Sequence, residues 1–111
     1  DVYKRQPTWT RDIASAMLTL ITNDAEGVYH YTNEGVASWY DFAVAITELA
    51  GELGVKLKAG SITPIPTEAY PTPATRPACS VLSKAKIRTM MQDPIPYWRH
   101  SLRNMLGELY A

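Results

Sequence analysis

The amino-acid sequence predicts a small mixed α/β unit, rich in helix. Several stretches carry apolar residues at helical spacing, and one short stretch alternates between turn signals. Prolines confine the remaining extended pieces to strand ends or edges. With 111 residues, 46% hydrophobic and 20% charged, the composition is ordinary for a globular protein, and the length suits one domain with a modest core.

The elements follow in chain order. Asp1 to Gln6 show no clear pattern and the chain starts without an initiator methionine, so it reads as a fragment of something longer or as a chain with a non-native start. "PTWTRDIASAMLTLITND" predicts a helix with Thr10 as N-cap and Asp12 in the first turn, where the helix dipole favours an acid. Ile13, Met17, Leu20 and Ile21 make its expected buried stripe. "GVYHYTNEG" predicts a short strand with Tyr29 and Tyr31 on one face and Val28 and His30 on the other. "SWYDFAVAITELAGELG" is the clearest helix. Ser38 and Asp41 form a capping-box-like start, and Trp39, Phe42, Ala43, Ile46, Ala50 and Leu53 share one face.

An extended piece is expected at Ser61 to Ile65, held to an edge by Pro64 and Pro66. "SVLSKAKIRTMM" predicts a short helix capped by Ser80 or Ser83. "PIPYWRHSLRNMLGELYA" predicts an amphipathic helix with Trp98, Leu102, Met105 and Leu109 inward.

Composition narrows the function. Eleven basic residues balance eleven acidic ones, which argues against general nucleic-acid or anionic-membrane binding. No apolar run approaches the ~20 residues that span a bilayer. Cys79 is the only cysteine, so no intramolecular disulfide can form, and with no signal peptide visible the expectation is a cytoplasmic location. Neither histidine lies near Cys79 in sequence, which favours a small packed residue over a nucleophile. His30 and His100 lack metal-ligand spacing and read as structural or solvent-facing.

Catalytic signatures are missing: no glycine-rich dinucleotide or phosphate loop, no C-x-x-C, no H-E-x-x-H, no G-x-S-x-G. No tyrosine is followed four residues later by lysine. The chain offers binding chemistry instead. In "YPTPATRPACSVLSK", three prolines stiffen the segment, and Pro77 biases Arg76 toward extended backbone. Arg76 presents a fixed fork of donors suited to phosphate or carboxylate, so the segment reads either as a preformed anion-binding loop or as an inert surface turn. Helical spacing places Trp39 and Trp98 in the core, while Tyr40 and Tyr97 have polar tips that could line a cleft.

"PTWTRDIA", "GVYHYTNEGVASWYDFAVAI", "PIPTEAYPTPATRPACSVLSKAKI" and "IPYWRHSLRNML", in that order, closely resemble the C-terminal part of dTDP-4-dehydrorhamnose reductases. The resemblance runs from about Gln6 to about Leu106. It implies the small helix-rich substrate-binding domain of an extended short-chain dehydrogenase/reductase, lacking most of the Rossmann domain. Residues 7–111 would be the nucleotide-sugar-binding unit and residues 1–6 a divergent or non-native start. The full enzyme would reduce dTDP-4-dehydro-L-rhamnose to dTDP-L-rhamnose with NADPH or NADH, in the making of surface polysaccharide.

The resemblance further implies that the catalytic tyrosine and lysine and the cofactor site belong to the chain's own N-terminal Rossmann domain, so that this fragment alone is inactive. It places Thr8 and Arg76 nearest the dTDP-sugar, with Gln6 and Ser80 as further substrate-binding candidates. Some family members use Mg2+ at a dimer contact; a homodimer and that ion are left open, with no acidic cluster here assigned to a metal. An alternative on the same scaffold is a non-catalytic regulatory subunit, like the beta subunit of methionine adenosyltransferase.

Overall fold

The structure is a computed structural model and describes residues 4–58, 61–63 and 77–110. Its helices are α1 (Thr10–Thr22), α2 (Trp39–Glu52), α3 (Ala85–Arg88) and α4 (Trp98–Leu109). Among the described residues, β structure is limited to isolated bridges: Lys4 with Cys79 in parallel, Arg5 with Ala37 antiparallel, and Glu34 with Tyr97 in parallel. The unit is helix-rich with few strands. The expected extended piece at Ser61 to Ile65 is described only through Thr63, and Arg76 lies outside the described residues.

Helix α2 starts where its local chemistry demands. Ser38 Oγ accepts from the Asp41 amide at 3.0 Å, and the Asp41 carboxylate accepts from the Ser38 amide at 3.0 Å. This reciprocal box satisfies two amides that would otherwise lack partners. The bond from the Ser38 amide also holds the Asp41 carboxyl below the usual carboxylate range. From Phe42 onward the helix turns Ala45, Ile46 and Leu49 toward Trp98, Leu102, Met105 and Leu106 of α4, forming an apolar seam closed by Ala37. Trp39 departs from the expected stripe and is 65% exposed. It lies one turn before the seam begins, at the open end of α2, so helical spacing alone misplaces it. Leu53 and Leu109, at the far helix ends, are exposed for the same reason.

A second cluster joins Ala16 of α1, Ile87 of α3 and Ile95, with Leu20, Tyr29, Tyr31 and Met91 packed around it. Here the buried face of α1 runs through Ala16 and Leu20, whereas Met17 and Ile21 are 56% and 67% exposed. The physical cause is Asp12. Its carboxylate accepts from Asn33 Nδ2 at 2.9 Å and from Ser101 Oγ at 2.5 Å, which turns the 12–16–20 face inward. Residues 17 and 21 then point about 100° away.

Other local expectations also shift. Trp9, not Thr10, is the N-cap of α1; its amide donates to Asn33 Oδ1 at 2.9 Å and its carbonyl receives the Asp12 amide at 3.0 Å. Lys84 occupies the N-cap of α3 without a side-chain capping bond, so neither Ser80 nor Ser83 caps it. Tyr29 and Tyr31 do face the core while Val28 and His30 face out, yet residues 28–31 pair with no strand among the described residues. Cys79 is exposed, because its backbone bridge to Lys4 leaves the side chain outside both apolar clusters.

Candidate functional site

Three remote segments meet at residues 4–6. The Lys4 amide donates to Ala78 O at 2.7 Å and the Ser80 amide to Lys4 O at 3.1 Å. On the other side, Arg5 and Ala37 exchange both backbone bonds at 2.8 Å. Residues 4–5 therefore stitch the 77–80 segment to the turn that starts α2. Arg5 strengthens the join by donating from Nη1 to Pro77 O at 3.0 Å, and Gln6 Oε1 accepts from the Leu82 amide at 2.8 Å.

The stitched segments wall an open cleft of about 400 Å³. Arg5, Gln6, Thr8, Thr32, Ser38 and Ser80 supply its polar lining, and Pro7, Ala37, Trp39, Phe42 and Leu82 its apolar lining. Of the positions named from the sequence, Gln6, Thr8 and Ser80 lie together here, 74 residues separating the first and last in the chain. Thr8 Oγ1 donates to Gln6 O at 2.8 Å and accepts from the Asn33 amide at 3.2 Å, which fixes the loop before α1. The Gln6 side chain is likewise committed to Leu82, so both residues shape the wall as well as face it.

Behind the wall lies a buried polar hub centred on Asn33, which is 0% exposed. Its side chain takes the Trp9 amide and gives to Asp12, while its carbonyl accepts from Lys84 Nζ at 2.9 Å. Lys84 is itself buried, and its charge is matched by Glu34 at 2.7 Å. Arg88 reaches the same Glu34 oxygen at 2.6 Å. The bond from Lys84, aided by Arg88 and opposed by burial, lowers the Glu34 pKa below its usual value. Tyr31, next to this hub, is pushed up to about 12 by burial and by the charges of Asp12 and Glu34, so its hydroxyl stays protonated.

Sequence reasoning missed Arg5, Asn33 and Lys84. Arg5 falls in the stretch without pattern, and Asn33 and Lys84 act through partners far away in the chain. Among the described residues lining the cleft there is no carboxylate, histidine or lysine. Hydroxyls, an amide, one guanidinium and aromatic surface suit binding rather than proton transfer. Nor is any group of three or more His, Cys, Asp or Glu placed to hold a metal among the described residues. No helix there is long and apolar enough to cross a membrane.

Comparison with known proteins places this architecture. A dTDP-4-dehydrorhamnose reductase of Burkholderia thailandensis is 40% identical over 116 residues, an alignment covering 95% of this chain and 39% of that protein. The crystal structure of a dTDP-4-dehydrorhamnose reductase from Clostridium acetobutylicum superposes with a TM-score of 0.84 at 37% identity, covering 98% of this chain and 37% of that one. That of the Bacillus anthracis dTDP-4-dehydrorhamnose reductase, in complex with NADP, gives 0.81 at 26% identity and covers 96% and 36%. The chain thus spans well under half the length of each relative. The family model for the RmlD substrate binding domain matches residues 2–111, and the chain belongs to that family.

Proposed function

We propose that this chain is the substrate-binding part of a dTDP-4-dehydrorhamnose reductase, an α/β enzyme of the extended short-chain dehydrogenase/reductase group. In this reading residues 7–111 form its nucleotide-sugar-binding unit, and the full enzyme reduces dTDP-4-dehydro-L-rhamnose to dTDP-L-rhamnose in the cytoplasm. The observation that carries it is the meeting of Gln6, Thr8 and Ser80 on one cleft. Arg5 adds a guanidinium to that cleft. A dTDP-sugar brings diphosphate charge, which a guanidinium neutralises through charge-assisted hydrogen bonds. Held at this end, the sugar's keto carbon would be positioned for hydride transfer.

The hydride donor would be NADPH or NADH, bound by the Rossmann domain outside this sequence. The described residues do not fit a dinucleotide, since no glycine-rich turn opens any of the described helices. The exposed Met17, Leu18 and Ile21 on α1 are a surface suited to such a neighbouring domain. No residue here is assigned to Mg2+ or to a homodimer contact. The regulatory-subunit alternative is not favoured, because the relatives compared above are reductases.

Titration of dTDP into the full-length protein tests the reading. Arg76→Ala is expected to weaken binding about tenfold or more, the scale of a lost charge-assisted hydrogen bond. Unchanged affinity removes Arg76 from the site. Absence of dTDP binding to the unaltered protein overturns the nucleotide-sugar assignment.

A further inference from the structure

We infer that Trp39 is the base-stacking platform of this cleft: its indole receives the planar nucleobase while the cleft's guanidinium and hydroxyls take the charged and hydroxylated parts of the ligand. The inference rests on the nucleotide-sugar reading above and assigns the base to the Trp39 ring.

Folding leaves the Trp39 ring largely in water. A tryptophan carries the largest apolar surface of any side chain, and burying it is strongly favourable. Trp98 follows that rule at 6% exposure, while Trp39, on the helix packed against it, keeps 65% of its surface in solvent. Trp39 is nonetheless held in place. It is the first residue of α2, directly after the N-cap Ser38 and inside the Ser38–Asp41 capping box. Its ring meets Phe42 in a T-shaped contact at 6.1 Å and 69°. Phe42 is in turn set against Trp98 at 6.2 Å. An exposed ring so oriented loses little entropy when a second ring stacks on it.

Position supplies the other half. Trp39 and Phe42 line the same cleft as Arg5, Thr8 and Ser80. One cleft is therefore lined both by planar aromatic surface and by a cation with hydroxyls. A nucleoside diphosphate calls for both, with an aromatic base at one end and anionic oxygens at the other. Base–aromatic stacking tolerates any base because every base has a π face. Trp39 thus contributes affinity for the nucleotide handle and leaves choice of base to hydrogen bonds elsewhere.

The test uses the full-length protein and two ligands: dTDP, and 2-deoxyribose 5-phosphate, which has sugar and phosphate but no base. Trp39→Ala is expected to weaken dTDP about tenfold, the scale of losing one base–aromatic stack. Trp39→Phe keeps a ring and should stay within about threefold of the unaltered protein. The ligand without a base should bind both variants and the unaltered protein alike, and the melting temperatures should agree. Equal dTDP affinity in Trp39→Ala, or equal weakening of both ligands, overturns the inference and leaves the nucleotide-sugar reading standing. That second outcome would mean Trp39 faces a neighbouring domain or merely supports the wall. An unaltered protein that binds no dTDP overturns both.

Discussion

Two regions of this small protein hold its segments together by opposite means. The α2–α4 seam is an apolar contact of Leu49, Trp98, Leu102 and Leu106, with ion pairs only at its exposed margin. The hub around Asn33 is polar and buried, and joins Trp9, Asp12, Ser101 and Lys84 through directional bonds. Apolar packing is non-directional and tolerates small shifts, whereas a buried hydrogen bond weakens steeply when its geometry slips. The hub adjoins the cleft wall through Thr8 and Thr32, where position matters; the seam supplies cohesion behind it.

The largest effect should come from the hub. Asn33→Ala strands the Trp9 amide and removes a donor from the Asp12 carboxylate, costing about 3–5 kcal/mol by the scale of buried unsatisfied groups. Because Thr8 is bonded to the Asn33 backbone, dTDP affinity should fall as well. Leu49→Ala in the seam should cost about 3 kcal/mol through lost burial and a residual cavity. Its dTDP affinity should stay unchanged wherever the protein is folded. Thermal melts and dTDP titrations on the two variants break the comparison if both lose affinity equally.

Gly35 links the regions and should give a smaller loss. Its φ of +87° is left-handed, and an added Cβ would meet the Tyr97 ring and lie 2.9 Å from Trp98 Cδ1. Gly35→Ala is expected to cost about 2–3 kcal/mol in a melt, from left-handed strain, displacement of the exposed Tyr97 ring and crowding of the buried Trp98 ring.

How much of this was legible follows from the range of each interaction. The capping box of α2 spans four residues and could be read directly, as could the inward Trp98. The inward face of α1 could not, because Asp12 takes it from Asn33 and Ser101, 21 and 89 residues away. Periodicity there placed Met17 and Ile21 inward, since apolar character alone ranks them above Ala16. Trp39 failed for a related reason: spacing predicts a face but not where the partner helix begins. In the cleft, Gln6, Thr8 and Ser80 were named through family resemblance, not from spacing. Arg5 escaped because nothing local marks residue 5 as the rung between two remote segments.

The hub should also set the response to acid. Glu34 titrates below its ordinary 4.5 in the folded protein because Lys84 and Arg88 favour its charged form. A group whose pKa is depressed by folding stabilises most above its unfolded value and loses that contribution as pH falls through the folded one. Stability should therefore decline below about pH 4.5, and Glu34→Gln should flatten that decline in melts between about pH 3 and pH 6. An unchanged acid limb would mean that the Lys84–Glu34 contact does not couple to folding.

The smallest effect should lie at the margin of the seam. Arg99 pairs with Glu48 at 3.0 Å and Arg103 with Glu52 at 3.2 Å, running α4 alongside α2. All four side chains are more than a third exposed, so water and salt screen their attraction and ordering two long side chains offsets much of the rest. Arg103→Ala should cost no more than about 0.5 kcal/mol, and 0.5 M salt should erase the difference, about where the screening length drops below 5 Å. A loss above about 1 kcal/mol that persists in salt would mean the ion pairs, not Leu49 and Leu102, hold the two helices together. The seam would then depend on directional contacts as the hub does, and the division of labour between the two regions would fail.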